Sequence, residues 1–188
     1  METLVPAFVA VLLAQVFDPP ARLAAVLADR LGRAGVAPGL ILAHAAGFLA
    51  AAAGGALIAP GMSPNARALL LALALMFAGA GGLARTKLAD RLTNWRIGSF
   101  ATAFLGIFIL AFGDRSQFLA LALAAWGGST VLAAIGSTVA AVAVGAIAAT
   151  VGEHAWCRWP GRRAAGLGVS ALLVVAGAVL AVRALRLG

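Results

Sequence analysis

The chain has 188 residues, of which 63% are hydrophobic and 11% charged, with a formal net charge of +8. Water-soluble folds carry more polar surface than this, so a soluble globular domain is excluded. The positive charges are scattered over short segments and form no single patch, which argues against a nucleic-acid partner, and one cysteine, Cys157, leaves no intramolecular disulfide and no multi-cysteine metal site.

Six apolar runs are each long enough to cross a bilayer as a helix, at roughly 4–28, 37–59, 66–84, 98–126, 129–151 and 165–184. The first begins after Met1-Glu2-Thr3, has no basic n-region and is too long for a signal peptide, so it is read as a span. Within it lies Asp18-Pro19-Pro20. The two prolines withhold N–H groups from the carbonyls of Gln15 and Val16, and Asp before Pro suits an N-cap followed by a new helix. The first span is therefore expected as two half-helices joined at 16–18. The second run carries His44, read as a histidine hydrogen-bonded within the bundle or a proton relay.

The gaps are chemically marked. Arg30 and Arg33 follow the first run, Pro60 and Pro64 the second, and Arg85, Lys87 and Arg91 the third. The fourth run contains Asp114, and only Gly127-Gly128 separates it from the fifth, so that turn must be tight. The fifth gap, Trp156 to Arg163, cannot continue a lipid-facing helix. Trp95, Trp126, Trp156 and Trp159 fall near span ends, as an interfacial aromatic belt would place them. Gaps one, three and five hold nine Lys and Arg, while the other side has Arg67, Arg183 and Arg186. The positive-inside rule puts the nine in the cytoplasm and both termini outside. Thirteen arginines against one lysine, with abundant Ala and Gly, suggest a GC-rich bacterial genome and hence an inner membrane.

Asp18 and Asp114 are the only acids placed within the spans, where a charge is costly and marks a candidate site. They also coincide when the chain is slid on itself by 96 places, which pairs Ala7-Phe8 with Ala103-Phe104; a shift of 98 pairs Gly79 with Gly177. Each half, 1–90 and 91–188, is then a three-helix unit. Three crossings force the second half to enter the membrane inverted, so the expected fold is an all-α membrane protein of six transmembrane helices in two inverted repeats. Asp18 and Asp114 would meet between the first and fourth helices, with Gly54-Gly55 and Gly81-Gly82 allowing close approach.

The ligands on offer are all oxygen: Asp18, Gln15, the freed carbonyls, Asp114, Ser116 and Gln117. Such a set suits hard cations such as calcium, magnesium or manganese more than copper or zinc. A poorly solvated carboxylate favours its protonated form until a cation displaces the proton, which is the minimal chemistry of cation/proton exchange. Structural readings stand beside this one: an N-cap for Asp18, an ion pair with Arg115 or a neighbouring helix for Asp114, and charge balance or snorkelling for Arg115.

The segment Phe112-Gly113-Asp114-Arg115-Ser116-Gln117 resembles the signature of the GDT family of calcium and manganese cation/proton antiporters, E-x-G-D-K/R-S/T, often followed by Gln. Gly113, Asp114, Arg115, Ser116 and Gln117 match in place. The resemblance implies two inverted three-helix halves, a cation site at Asp18 and Asp114 beside Gly113 and Arg115, and calcium or manganese as transported ion. Pro19 and Pro20 are expected to support the site through the carbonyls they free. No resident cofactor is expected, and no Ser-His or acid pair with a nucleophile is apparent, so no enzymatic activity is expected. In the glutamate positions stand Ala111 and Gln15, and Phe17, Pro19 and Pro20 replace the Gly, basic and hydroxyl residues of the first motif. Two further readings follow from those departures and from the six-helix plan: a membrane partner or scaffold that has lost transport, and an exporter of another small solute. The expected partners are the lipid bilayer, a cation and protons; homo-oligomerisation stays open.

Overall fold

The computed structural model describes residues 2–83 and 92–186. Arg85, Lys87, Asp90, Arg91 and the expected boundary between 90 and 91 lie outside the described residues. Those residues form nine α-helices and no strand: α1 Leu4–Gln15, α2 Pro19–Leu31, α3 Arg33–Ile58, α4 Pro64–Leu83, α5 Ser99–Ala111, α6 Arg115–Gly127, α7 Thr130–Val151, α8 Glu153–Arg158 and α9 Arg162–Arg186, with one 3₁₀ turn at Ala59–Gly61. Four helices are long and apolar enough to cross a membrane, and six spans result if each of two bent pairs, α1–α2 and α5–α6, counts as one.

The side chains are distributed as lipid requires. Leu57, Phe77, Ile109, Val131 and Val175 face outward, while most of the buried apolar residues are alanines, with glycines packed between them. Without water outside, helices associate by close van der Waals contact, which small residues permit.

The bent pairs are the main departure from a simple helix count. The run 98–126, read as one span, divides at 112–114 as the first divides at 16–18, with bends of 69° and 67°. The halves are 12 and 13 residues in the first pair and 13 and 13 in the second. A 13-residue helix rises about 20 Å, short of the ~30 Å apolar thickness, so neither half crosses alone.

Several packing contacts recur at similar offsets, with Leu4 and Phe100 96 residues apart, Gly39 and Gly136 97, and Gly79 and Gly177 98. α3 packs on α5 and α6, and α7 packs on α1 and α2. On α3, a Cβ at Gly39 would lie 2.7 Å from the Phe100 carbonyl oxygen and 2.9 Å from the Ala103 Cβ; on α7, one at Gly136 would lie 2.5 Å from the Leu4 carbonyl oxygen and 3.2 Å from the Ala7 Cβ. Between α4 and α9 the exchange is more even. A Cβ at Gly79 would lie 2.6 Å from the Ser170 carbonyl oxygen, and one at Gly177 would lie 2.6 Å from that of Ala72. Contacts at backbone distance leave room for no side chain, which is why glycine stands there.

One pairing is not exchanged. α4 packs on α6, whereas the corresponding surfaces of α2 and α9 face each other across a cavity of about 920 Å³. At the far turn, Gly128 adopts φ +70 and Ser129 Oγ accepts the Leu132 N–H, giving the tight connection between α6 and α7 that two glycines require.

Candidate functional site

Both breaks have the same backbone device. Asp18 and Asp114 are extended, at φ −82, ψ 153 and φ −67, ψ 160, and stand as N-caps of α2 and α6. In each, the aspartate N–H turns back three residues, to the Gln15 carbonyl at 3.1 Å and to the Ala111 carbonyl at 3.1 Å. A continuous helix would send these N–H groups four residues back, to Ala14 and Leu110. The expectation that the Gln15 carbonyl is left without a partner is therefore corrected. The turn tightens to 3₁₀ geometry, Asp18 takes up the Gln15 carbonyl, and the oxygen released is that of Ala14.

Arg115 collects what the first break releases. It is 8% exposed, pairs with Asp18 Oδ1 through Nη2, and donates from Nη2 to the Ala14 carbonyl at 3.4 Å and from Nη1 to the Ala78 carbonyl at 3.0 Å. Its aliphatic stem and head lie along Gly81 and Gly82 of α4: a Cβ at Gly81 would lie 3.3 Å from Arg115 Cδ, and one at Gly82 would lie 2.8 Å from Nη1. Gly81 makes space for the buried guanidinium, and Gly82 both does so and admits Ser170 of α9, the close helix approach expected of it. Arg115 does not snorkel; it balances charge.

Around this pair the other predicted residues converge. Gln15 Nε2 donates to Ser116 Oγ at 2.9 Å, and Ser116 Oγ donates to Asp114 Oδ2 at 3.4 Å. Asp114 Oδ1 accepts the Arg115 backbone N–H at 2.6 Å, a capping bond. Asp18, Gln15, Arg115, Ser116 and Asp114 thus form one network across the two breaks. Asp18 is 1% exposed, whereas Asp114 is half-buried.

Gln117 is brought close but turned differently. Its Oε1 accepts the Gly113 N–H at 3.0 Å, and its Nε2 presses on Gly47 of α3. It braces the bend. Pro19 and Pro20 occupy the first two positions of α2, and the Asp18 side chain makes no capping hydrogen bond. The prolines remove the first two N–H donors of α2 and leave only that of Ala21 for a cap, and Asp18 reaches across to Arg115 instead.

Two acceptors of the network lack a partner: Asp18 Oδ2 and Gln15 Oε1, both buried. A buried unsatisfied polar atom is costly, and in a native structure it calls for an explanation such as an ion, a proton or water. No three His, Cys, Asp or Glu side chains converge among the described residues. Any cation here would meet two carboxylates supplemented by amide and hydroxyl oxygens. His44 stacks on Phe48 with ring centroids 5.9 Å apart, and neither ring nitrogen has a hydrogen-bond partner, so the hydrogen-bonded role expected for it is not met.

A family model described as the divalent cation/proton antiporter GDT1 matches residues 99–187, which includes the Gly113–Gln117 segment and the whole of α5 to α9. No curated protein and no solved structure matches the chain.

Proposed function

We propose that the chain is a member of the GDT family of divalent cation/proton antiporters, whose model its residues 99–187 match, and that it exchanges a divalent cation, calcium or manganese, for protons at the junction of the two broken helices. It is an integral membrane protein of a transporter family and not an enzyme. The observation that carries the proposal is the pair of unpartnered buried oxygens, Asp18 Oδ2 and Gln15 Oε1, set beside Ser116 and Asp114.

In this reading α1–α2 and α5–α6 each cross as one broken span, so that the six spans are two inverted three-helix repeats. The cation takes Asp18 Oδ2, Gln15 Oε1, Ser116 Oγ and Asp114, an oxygen set suited to a hard ion. Asp18, Asp114 and Arg115 together carry one net negative charge when ionised. A divalent cation reverses that sign, and protons on the two carboxylates expel it, so cation and protons compete for the same oxygens. Arg115 keeps Asp18 compensated between cycles, which a buried carboxylate needs. Gln117 and Gly113 hold the bend. The nine-to-three distribution of Lys and Arg places gaps one, three and five in the cytoplasm and both termini in the periplasm of a bacterial inner membrane.

The test is uptake of radiolabelled calcium and manganese into proteoliposomes with an imposed pH gradient. Proton-coupled flux above empty liposomes is expected, reduced more by Asp114→Asn than by Asp29→Asn, whose carboxylate accepts the Glu153 N–H far from the breaks. Absence of flux for several cations would favour the scaffold reading, to which the closed Asp18–Arg115 pair lends support. Reporters at the C-terminus are expected outside the cytoplasm; a cytoplasmic C-terminus breaks the inverted arrangement.

A further inference from the structure

The cavity between α2 and α9 is lined by Arg22, Arg115, Arg158, Arg162 and Arg163, and by no acidic side chain among the described residues. Arg115 forms its floor and is compensated by Asp18. Arg158 also borders a smaller cavity that holds Asp29 and Glu153. For Arg22 and Arg162 the situation differs: Arg22 Nε and Arg162 Nη2 are buried donors without an acceptor. Arg162 is nevertheless held in place, donating from Nη1 to the Trp156 carbonyl at 2.6 Å with its guanidinium 5.7 Å from the Trp156 ring centroid. A fixed arginine with a spare N–H is a built donor and not a solvated surface charge.

Gathering like charges around one space is unfavourable unless an opposite charge enters it, and buried guanidinium donors without acceptors add to that cost. The planar fork of arginine matches the paired oxygens of phosphate, and about 920 Å³ lies within the range of small-molecule and headgroup sites. The cavity also borders the fifth gap, whose Trp159 is half exposed, as an interfacial residue would be. We propose that this cavity binds a phosphate-bearing anion, held by Arg22, Arg162 and Arg163 above the Arg115 floor. The same chemistry is offered by an anionic phospholipid headgroup and by a free phosphate compound. This site does not depend on cation transport.

The experiment uses the full chain purified in a neutral detergent. Native mass spectrometry measures retention of phosphatidylglycerol against phosphatidylcholine, and thermal-shift titration measures inorganic phosphate. Phosphatidylglycerol retained in preference to phosphatidylcholine identifies a headgroup site; stabilisation by inorganic phosphate alone identifies a soluble anion. Either is expected to weaken at least about tenfold in the Arg22→Gln/Arg162→Gln protein, since each lost charge-assisted bond is worth at least that factor. Arg162→Lys restores the charge without the fork and should recover part of the loss. Arg183→Gln, exposed near the other end of α9, should change nothing. If the double variant does not fold, Arg163→Gln, on an exposed side chain of the cavity, is expected to show the same preference lost to a smaller degree. Equal retention of the two lipids without phosphate binding, or unchanged binding in the variants, overturns the site.

Discussion

The break at 16–18 and the break at 112–114 reach the same geometry from different residues. Bends of 67° and 69°, an extended aspartate and a three-residue return hydrogen bond are common to both. At the second, Gly113 turns the chain at φ +73 and Asp114 caps its own helix through the Arg115 N–H. At the first, Phe17 and two prolines stand at the turn, and with no N–H at the first two positions of α2, Asp18 leaves its helix uncapped and pairs with Arg115 of α6. An aspartate at an N-cap is thus either a local structural residue or a long-range partner, and the donors at the following positions decide which.

The largest effect that separates the two aspartates concerns stability. Asp18→Asn leaves Arg115 as a buried cation without its counter-charge and is expected to cost about 3–5 kcal/mol, measured by thermal denaturation in detergent. A cost no greater than that of Asp114→Asn would mean that the ion pair is not what holds the two breaks together. Next is Gly113→Ala. No atom lies within 4 Å of a Cβ built there, so its cost is conformational alone, about 1–2 kcal/mol for a left-handed residue. Substituting Ala at Gly47 would instead push the Gln117 amide aside and cost its hydrogen bond to the Gly113 N–H, and the Gly47→Ala change should cost less in a chain that already carries Gln117→Ala.

Asp114→Asn keeps an oxygen for the Arg115 N–H, so a stability cost of about 1 kcal/mol or less is expected, with its main effect on cation uptake. Smallest in stability is Pro19→Ala/Pro20→Ala. The two new N–H groups raise helix propensity and offer Asp18 a local cap, and the net change should stay within about 1 kcal/mol. The carboxylate is then drawn from Arg115 toward its own helix, so uptake should fall while stability holds. Normal uptake by the proline-free chain would reduce the pair to an ordinary kink.

Much of this was legible in the sequence. Apolar run length marks the candidate spans, the proline pair marks the first break, and the 96-residue match of Asp18 with Asp114 picks out the two aspartates that stand at the breaks. The second break was missed because Gly113-Asp114, unlike a proline pair, does not forbid a helix; it only permits the chain to leave one. The small size of Gly81 and Gly82 is legible, and it serves both the approach of α9 at Ser170 and the space that Arg115 occupies.

Residue type by itself determined which backbone donors are missing, which stretches prefer lipid and where helices can approach, because these are properties of single residues and their near neighbours. Only the tertiary structure decided that the Ala14 oxygen and not that of Gln15 is released, that Arg115 of α6 compensates Asp18 at the start of α2, and that Gln15 and Asp18 each keep an unpartnered oxygen. Hydrogen bonds and ion pairs across about a hundred residues depend on where the helices are set against one another, and local preference carries no information about that distance.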